Sequence, residues 1–261
     1  MTSTARHILP RLHTLTAIIL LSLPTAAMAA EPESDLQVKI RAGYSIGGSA
    51  PLGIPATIRS VDAFRLTPNI VVGADVTKKL SDHWSISAGA RIENKAMDTE
   101  AQVKGYHMEV KMDDSALEGL YTGHVRQKAH AWMATVPLQA AFRPGNGRVT
   151  LKAGPYLSLL FNKDFSGYAF DGYLRKDTPT GPKVVMGSVE GEWATYDFTD
   201  DMRNLQVGLA VGADWQVASL VGVSADLSWG LTGIMKSSFK TIEQTFYPIY
   251  GTIGIYVLLG K

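Results

Sequence analysis

Histidine, serine and acidic side chains are concentrated in a polar stretch between residues 95 and 130. Its members are His107, Asp113, Asp114, Ser115, Glu118, His124 and His130. Histidine can act as a general base and serine as a nucleophile, so this composition would suit a lipid hydrolase or acyltransferase. Such catalysis needs the base beside the nucleophile, and no spacing in the stretch imposes that contact. We predict a solvated loop and keep the enzyme as the alternative, to be tested at His124.

A second group of candidate residues lies between positions 168 and 203. The acids there are Asp171, Asp177, Asp197, Asp200 and Asp201. Carboxylates bind Ca²⁺, but a tight calcium loop needs a glycine at its turn and a closing glutamate, which are missing here. We predict exposed loop charges, no metal site and no cofactor. The many nearby aromatics indicate that this loop either folds over or contacts a partner; they are Tyr168, Tyr173, Trp193, Tyr196 and Phe198.

Composition excludes several classes of protein. The chain has 261 residues, of which 46% are hydrophobic and 19% are charged, with no cysteine and a net charge of +1. This composition is too apolar for a disordered chain. The net charge is too close to zero for a protein that binds nucleic acid through its overall positive charge. The lack of sulfur nucleophiles excludes a disulfide framework and a zinc-thiolate site.

Residues 1–30 have the pattern of a secretory signal peptide. A basic start with Arg6 and Arg11 precedes an apolar run from Leu15 to Leu23, and Ala27 and Ala29 flank a cleavage position. Removing two arginines leaves 23 basic and 24 acidic residues, so the net charge of the predicted domain, residues 31–261, is −1. No later stretch has the roughly 20 uninterrupted apolar residues of a membrane-spanning helix.

The rest of the chain alternates between apolar and polar residues in eight segments. They begin near Leu36, Ile70, Trp84, Trp132, Val149, Leu205, Val221 and Phe246. A period of two predicts strands. The connections at 79–83, 144–148 and 219–220 are short, whereas 49–67, 95–130, 168–203 and 236–245 are longer. This order predicts an all-β fold: an eight-stranded antiparallel transmembrane β-barrel with short periplasmic turns and long extracellular loops.

A soluble barrel of the lipocalin type would show the same period, so the size of the side chains decides between the two. The face opposite the large apolar residues is rich in Gly and Ser, as the narrow lumen of eight strands requires. Two aromatic girdles are also predicted. Trp84, Phe142 and Trp215 would lie at the turn end of the strands, and Tyr44, Trp132, Trp229 and Tyr247 at the loop end. Trp132 and Phe142 would be separated along the barrel axis by roughly 25 Å, the height of an apolar membrane band.

The predicted lumen face also carries ionisable residues. Lys39, Arg41, Asp75, Lys152, Asp214 and Asp226 are expected in the periplasmic half, with Arg91 and Glu93 higher. They could form an ion path, but eight strands enclose room only for side chains, so we predict a polar plug of paired charges. Arg41 should pair with Asp75, and Lys152 with Asp214. Pro137 and Pro155 lie inside strands and should each mark a bulge or a break in pairing.

Four segments resemble the PorT-like outer-membrane β-barrel proteins of Bacteroides and its relatives. They are residues 66–69 with 79–85, residues 165–175, residues 196–201 and residues 247–251. The resemblance implies an outer-membrane location and a noncatalytic envelope role in protein secretion or surface assembly. Expected partners are outer-membrane lipid, lipopolysaccharide and an envelope or secretion-complex protein, but no nucleic acid. A narrow channel is a further alternative.

Overall fold

The computed structural model describes residues 35–259, apart from positions 52, 66, 113, 114, 146, 177, 240 and 243. The signal peptide predicted for residues 1–30 lies outside this part of the chain, as do Asp113, Asp114 and Asp177. No helix among the described residues is long and apolar enough to cross a bilayer.

The described residues form eleven strands and one turn of 3₁₀ helix, Thr199–Asp201. The strands are β1 (Leu36–Pro51), β2 (Ile58–Arg65), β3 (Asn69–Lys79), β4 (Trp84–Met112), β5 (Ser115–Phe142), β6 (Val149–Lys176), β7 (Lys183–Met186), β8 (Ala194–Asp197), β9 (Leu205–Gln216), β10 (Val221–Gly230) and β11 (Phe246–Leu259). Eight of them pair in the antiparallel order β1-β3-β4-β5-β6-β9-β10-β11, and β11 pairs again with β1. The predicted eight-stranded antiparallel barrel is therefore confirmed.

Strands occupy much of three of the four connections that were expected to be long loops. β4 has 29 residues and β5 has 28, and they pair as far as Met112 and Ser115, so most of residues 95–130 is sheet. The third connection contains the end of β6 together with β7 and β8, and the first contains β2. A membrane strand needs only about 9–11 residues. These strands therefore continue well beyond the bilayer as an extracellular extension (the described residues within 46–68, 96–130, 161–203 and 232–248).

The polarity of the barrel wall inverts near Trp132. Below it on β5, Leu138 and Val136 point outward and are about half exposed, while Gln139 and Thr135 are buried inside. Above Thr135, the inward positions become apolar, beginning with Met133. In lipid the outer face must be apolar, whereas in water the apolar side chains must turn inward. The extension accordingly has an apolar core, which includes Met97, Val103, Met108, Tyr121, Phe165, Leu174, Met186, Phe198 and Phe246.

The orientation of β9 excludes a soluble ligand carrier with an apolar lumen. Leu209, Val211 and Trp215 are 45%, 50% and 53% exposed on the outer face, whereas Asp214 is 1% exposed inside. Among the other predicted girdle residues, Trp84 packs on Phe142 at the turn end with ring centroids 4.9 Å apart. Trp229 and Tyr247 lie at the opposite ends of β10 and β11, whereas Tyr44 and Trp132 lie midway along the longer strands β1 and β5. All four are partly or well exposed.

Pro137 and Pro155 produce no bulge. Pro137 lies opposite Tyr156, and pairing between β5 and β6 resumes at Ala140 and Ala153 in the same register. The intervening pairs are missing, as a strand residue without an N–H group requires. The bulges occur instead in the extension and at its base, at Gly105 on β4 and in the β5–β6 ladder near Gly123 and Trp132, where β6 has the extra residue.

Candidate functional site

The barrel interior contains a compact group of charged side chains, here called the ionic cluster: Lys39, Arg41, Asp75, Arg91, Lys152, Asp214 and Asp226. The alternation of each strand places these residues inward, while their apolar neighbours face outward. Arg41 lies near the centre. Its Nη2 atom is 2.6 Å from Asp75 Oδ2 and 3.6 Å from Asp214 Oδ2, and its Nη1 atom is 3.1 Å from Asp226 Oδ2.

Two lysines of the ionic cluster also contact its aspartates. Lys152 Nζ is 2.6 Å from Asp214 Oδ1 and 3.2 Å from Asp226 Oδ1. Lys39 Nζ is 2.9 Å from Asp214 Oδ2. Both pairs expected from the sequence, Arg41 with Asp75 and Lys152 with Asp214, are within ion-pair distance. The connectivity is wider than expected, because Arg41 and Lys152 each contact more than one acid.

A second polar layer lies above the ionic cluster. Thr135 donates a hydrogen bond to Glu93 Oε1 at 2.6 Å, and Lys95 Nζ lies 3.5 Å from the same oxygen. Lys95 also lies over the rings of Tyr156 and Tyr250, 5.4 and 5.3 Å from their centroids. Sequence reasoning missed Lys95 because it assigned residue 95 to a loop. The sequence does contain the signal, because Arg91, Glu93 and Lys95 are two residues apart and therefore share the inward face of the strand.

Glycines make room for the larger interior side chains. Asp75 lies opposite Gly89, and Asp226 lies opposite Gly212. In each pair, a carboxylate oxygen of the aspartate occupies the position that a Cβ atom on the glycine would take. The cavity left beside Arg41, Arg91 and Asp226 measures about 20 Å³. A single water needs roughly 10–15 Å³ by this kind of measure. The barrel is therefore filled with side chains at this depth.

The histidines and the serine of the predicted hydrolase loop are not brought together. Ser115 is at the exposed hairpin tip, and His124 is nine positions away on the same strand, a separation of roughly 30 Å. His124 Nδ1 lies 3.2 Å from Asp62 Oδ2. Ser60 donates its hydroxyl to the other oxygen of Asp62 at 2.6 Å, so this serine contacts the acid and not the histidine.

The two other histidines are placed elsewhere on the hairpin. His107 Nε2 is 3.3 Å from Glu118 Oε1, and His107 Nδ1 is 3.3 Å from the carbonyl oxygen of Thr241. His130 lies opposite Ala96 on β4. These contacts stabilise the hairpin and give no nucleophile–base pair among the candidates named from the sequence.

The third connection is folded against the sheet rather than solvated. Tyr196 and Phe198 are buried in the core of the extension, and the Tyr168 and Trp193 rings stack at 4.7 Å. Tyr173 lies under Lys183, whose Nζ is 4.2 Å from the ring centroid. Burial raises the pKa of Tyr196 far above its usual value.

The described acidic side chains of the third connection do not form a metal-binding cluster. Asp171 has a left-handed backbone with φ of 54°, and Asp200 and Asp201 lie in the 3₁₀ turn. Asp197 Oδ1 accepts the Thr199 N–H at 2.9 Å, which lowers the pKa of its carboxyl. Throughout the described part of the chain, no three His, Asp or Glu side chains are grouped to hold a metal ion.

Arg126 and Asp98 form the best-defined ion pair of the extension. Arg126 donates from Nε and Nη2 to the two oxygens of Asp98, at 2.9 and 2.7 Å. These hydrogen bonds lower the pKa of the Asp98 carboxyl and raise the pKa of the Arg126 guanidinium. A bidentate pair fixes the relative position of β4 and β5 above the membrane.

A closed antiparallel ring with an apolar outer band, a polar filled lumen and long outward strands defines an outer-membrane β-barrel. Residues 26–236 match the family described as the outer membrane protein beta-barrel domain. The chain belongs to this family, and its location is the outer membrane. A search of curated proteins finds no significant match.

Several solved outer-membrane structures are similar at low identity. Neisserial surface protein A is 12% identical, with a TM-score of 0.35, covering 87% of this chain and 99% of that one. The Ail protein of Yersinia pestis is 10% identical, with a TM-score of 0.35, covering 85% and 98%. CarO2 of Acinetobacter baumannii is 11% identical, with a TM-score of 0.42, covering 85% and 99%.

Proposed function

We propose that this chain is a noncatalytic envelope protein whose barrel is sealed by the ionic cluster and whose extracellular extension is an interaction surface. The observation that carries the proposal is the apolar core of the extension. A barrel that only crossed the membrane would need neither 28-residue strands nor a second core outside the lipid. A folded surface held above the bilayer is suited to recognition.

The sealed lumen is the first element of the proposal. Lys152 and Arg41 both contact Asp214, and the space beside Arg41 and Asp226 measures about 20 Å³, which supports a plug rather than a narrow channel. In planar bilayers we expect no single-channel conductance from the wild type. Regular conductance steps from the purified protein would favour the channel.

The interaction surface is the second element. Val185 and Val189 in and after β7 are 69% and 57% exposed, although they lie beyond the apolar membrane band. The resemblance to PorT-like proteins supports an envelope or secretion-complex protein as partner and a role in protein secretion or surface assembly. The outward band supports contact with outer-membrane lipid and lipopolysaccharide.

Site-specific photocrosslinking in living cells tests this surface. A benzophenone amino acid at Val185 should give a discrete protein adduct, whereas the same amino acid at the lipid-facing Leu227, which is 49% exposed, should not. Equal protein adducts at both positions, or none at Val185 or Val189, would contradict an interaction role for β7.

The enzyme alternative is tested by ester hydrolysis in detergent. Because His124 contacts Asp62 and no candidate nucleophile, we expect the same background rate from the wild type and from His124→Ala. Hydrolysis that disappears in His124→Ala would establish catalysis at the rim instead.

A further inference from the structure

An apolar cavity of about 410 Å³ lies inside the extension, above the ionic cluster. Side chains from β4, from the segment around β8 and from the start of β11 form much of its wall: Met97, Val103, Met108, Phe198, Ile242 and Phe246. An apolar cavity of about 150 Å³ already holds one benzene molecule. This cavity is more than twice that size and falls in the usual range of small-molecule sites.

The wall of the cavity has a lateral gap between β1 and β2. Pairing between β1 and β3 ends at Ser45 and Asn69, and from Ile46 onward β1 pairs with β11 alone. β2 pairs with β4 on its other side. In the described part of the chain no ladder joins β1 to β2, so this opening in the backbone wall is spanned only by side chains, among them Phe64 and Met97 against Gly48.

Apolar side chains surround this opening and remain exposed. Ile54, Val61 and Phe64 line the cavity and are 69%, 59% and 46% exposed. The ring of Phe64 lies against Gly48, where an added Cβ would be 3.2 Å from the Phe64 Cε2 atom. Three exposed apolar side chains at one edge are unfavourable in water, so the edge is suited to contact with lipid.

The opening is continuous with the lipid-facing surface. Ile70 lies next to the last β1–β3 pair and is 47% exposed, and Ile46 just above it is 48% exposed. Tyr44, predicted for the outer girdle, lies at the same level and donates a hydrogen bond to the carbonyl oxygen of Thr67. An apolar path therefore runs from the outer edge of the membrane band into the cavity.

We propose that this cavity binds the acyl chain of a single-chain amphiphile, such as a fatty acid, which enters from the outer leaflet between β1 and β2. The volume suits one chain rather than the several chains of a whole membrane lipid. Met97 and Met108 can adapt to a flexible chain. The polar head remains at the opening, near the water-exposed edge. This inference does not depend on a protein partner for β7.

Photolabelling with diazirine-bearing palmitic acid tests the proposal. The full-length protein is reconstituted in phospholipid nanodiscs, irradiated with the probe and mapped by peptide mass spectrometry. We expect adducts on the cavity wall of β4, between Met97 and Met108, in addition to adducts on the lipid-facing band.

Two pairs of variants separate cavity binding from general membrane contact. Ala101→Trp fills the cavity and should abolish the β4 adducts, whereas Gln102→Trp, exposed on the other face, should keep them. Phe64→Asp places a charge at the opening and should also abolish them, whereas Leu80→Asp, which is 63% exposed at the β3–β4 turn on the opposite end of the barrel, should not. Adducts confined to the lipid-facing band of the wild type, or β4 adducts unchanged in both Ala101→Trp and Phe64→Asp, would overturn the proposal.

Discussion

The carboxylate of Asp75 occupies the space directly above Gly89, its partner on the neighbouring strand. The absence of a side chain at Gly89 lets this acid lie flat against β4 and reach both Arg41 and Arg91. The same relationship joins Asp226 to Gly212. Each of these two carboxylates therefore fills the space left by a glycine on the neighbouring strand.

A methyl group at Gly89 should disturb this arrangement. In Gly89→Ala the new Cβ meets Asp75 Oδ1, so the carboxylate must shift, which disturbs its contacts with Arg91 and Arg41. Overpacking of this kind costs about 1–3 kcal/mol. Urea unfolding in lipid vesicles measures the loss of unfolding free energy. Gly251→Ala is the matched control, because its nearest contact would be an ordinary 3.8 Å, and an equal loss in both variants would contradict the packing argument.

Removal of Arg41 should be more damaging than removal of an exposed cation. Arg41→Ala leaves three buried acids without their shared partner, and breaking a buried ion pair costs roughly 3–5 kcal/mol. Lys79→Ala is the control, since its partner Asp82 is 89% exposed and such pairs contribute about 0–1 kcal/mol. Urea titration of both variants checks the difference. Similar losses would show that Arg41 is not held by its acids.

Acid should weaken the extension through Asp98. Its pKa is lowered from the ordinary 3.8 when the chain is folded, so its stabilising contribution is complete above the unfolded value and is lost as pH falls through the folded value. Asp98→Asn should remove this pH dependence between those two values. Pepsin cleavage of the extension, followed against pH, measures it. Asp82→Asn, at an exposed periplasmic turn, should behave as the wild type, and identical pH profiles for all three proteins would refute the assignment.

The hydroxyl of Tyr121 should stabilise the bulge near position 123. It donates to the carbonyl oxygen of Phe170 at 2.6 Å and lies 3.1 Å from that of His124. Tyr121→Phe removes this partly buried hydrogen bond, and we expect a loss of unfolding free energy of about 0.5–1.5 kcal/mol. Hydrogen exchange of amides on β5 and β6 reports the local effect. Tyr44→Phe, which loses an exposed bond, is the control, and equal exchange in the two variants would contradict this role.

The sequence by itself determined the transmembrane barrel. An alternation of period two in eight segments, with Leu209 and Val211 on one face and Gly212 and Asp214 on the other, fixes which face meets lipid and which is enclosed. The opposite charges at similar depth were enough to predict the pairs of Arg41 and Lys152. These inferences succeed because neighbouring strands constrain both the depth and the direction of each side chain.

Only the tertiary structure determined whether the polar segments form loops or strands. The many Lys, Glu and His residues between 95 and 130 favour a loop, yet Met97 and Met108 turn inward to a core formed with residues far along the chain, such as Phe246. The gap between β1 and β2 also depends on where pairing with β3 ends. Contacts between distant segments determine both features, and the local period of one strand does not specify which distant residues will cover it.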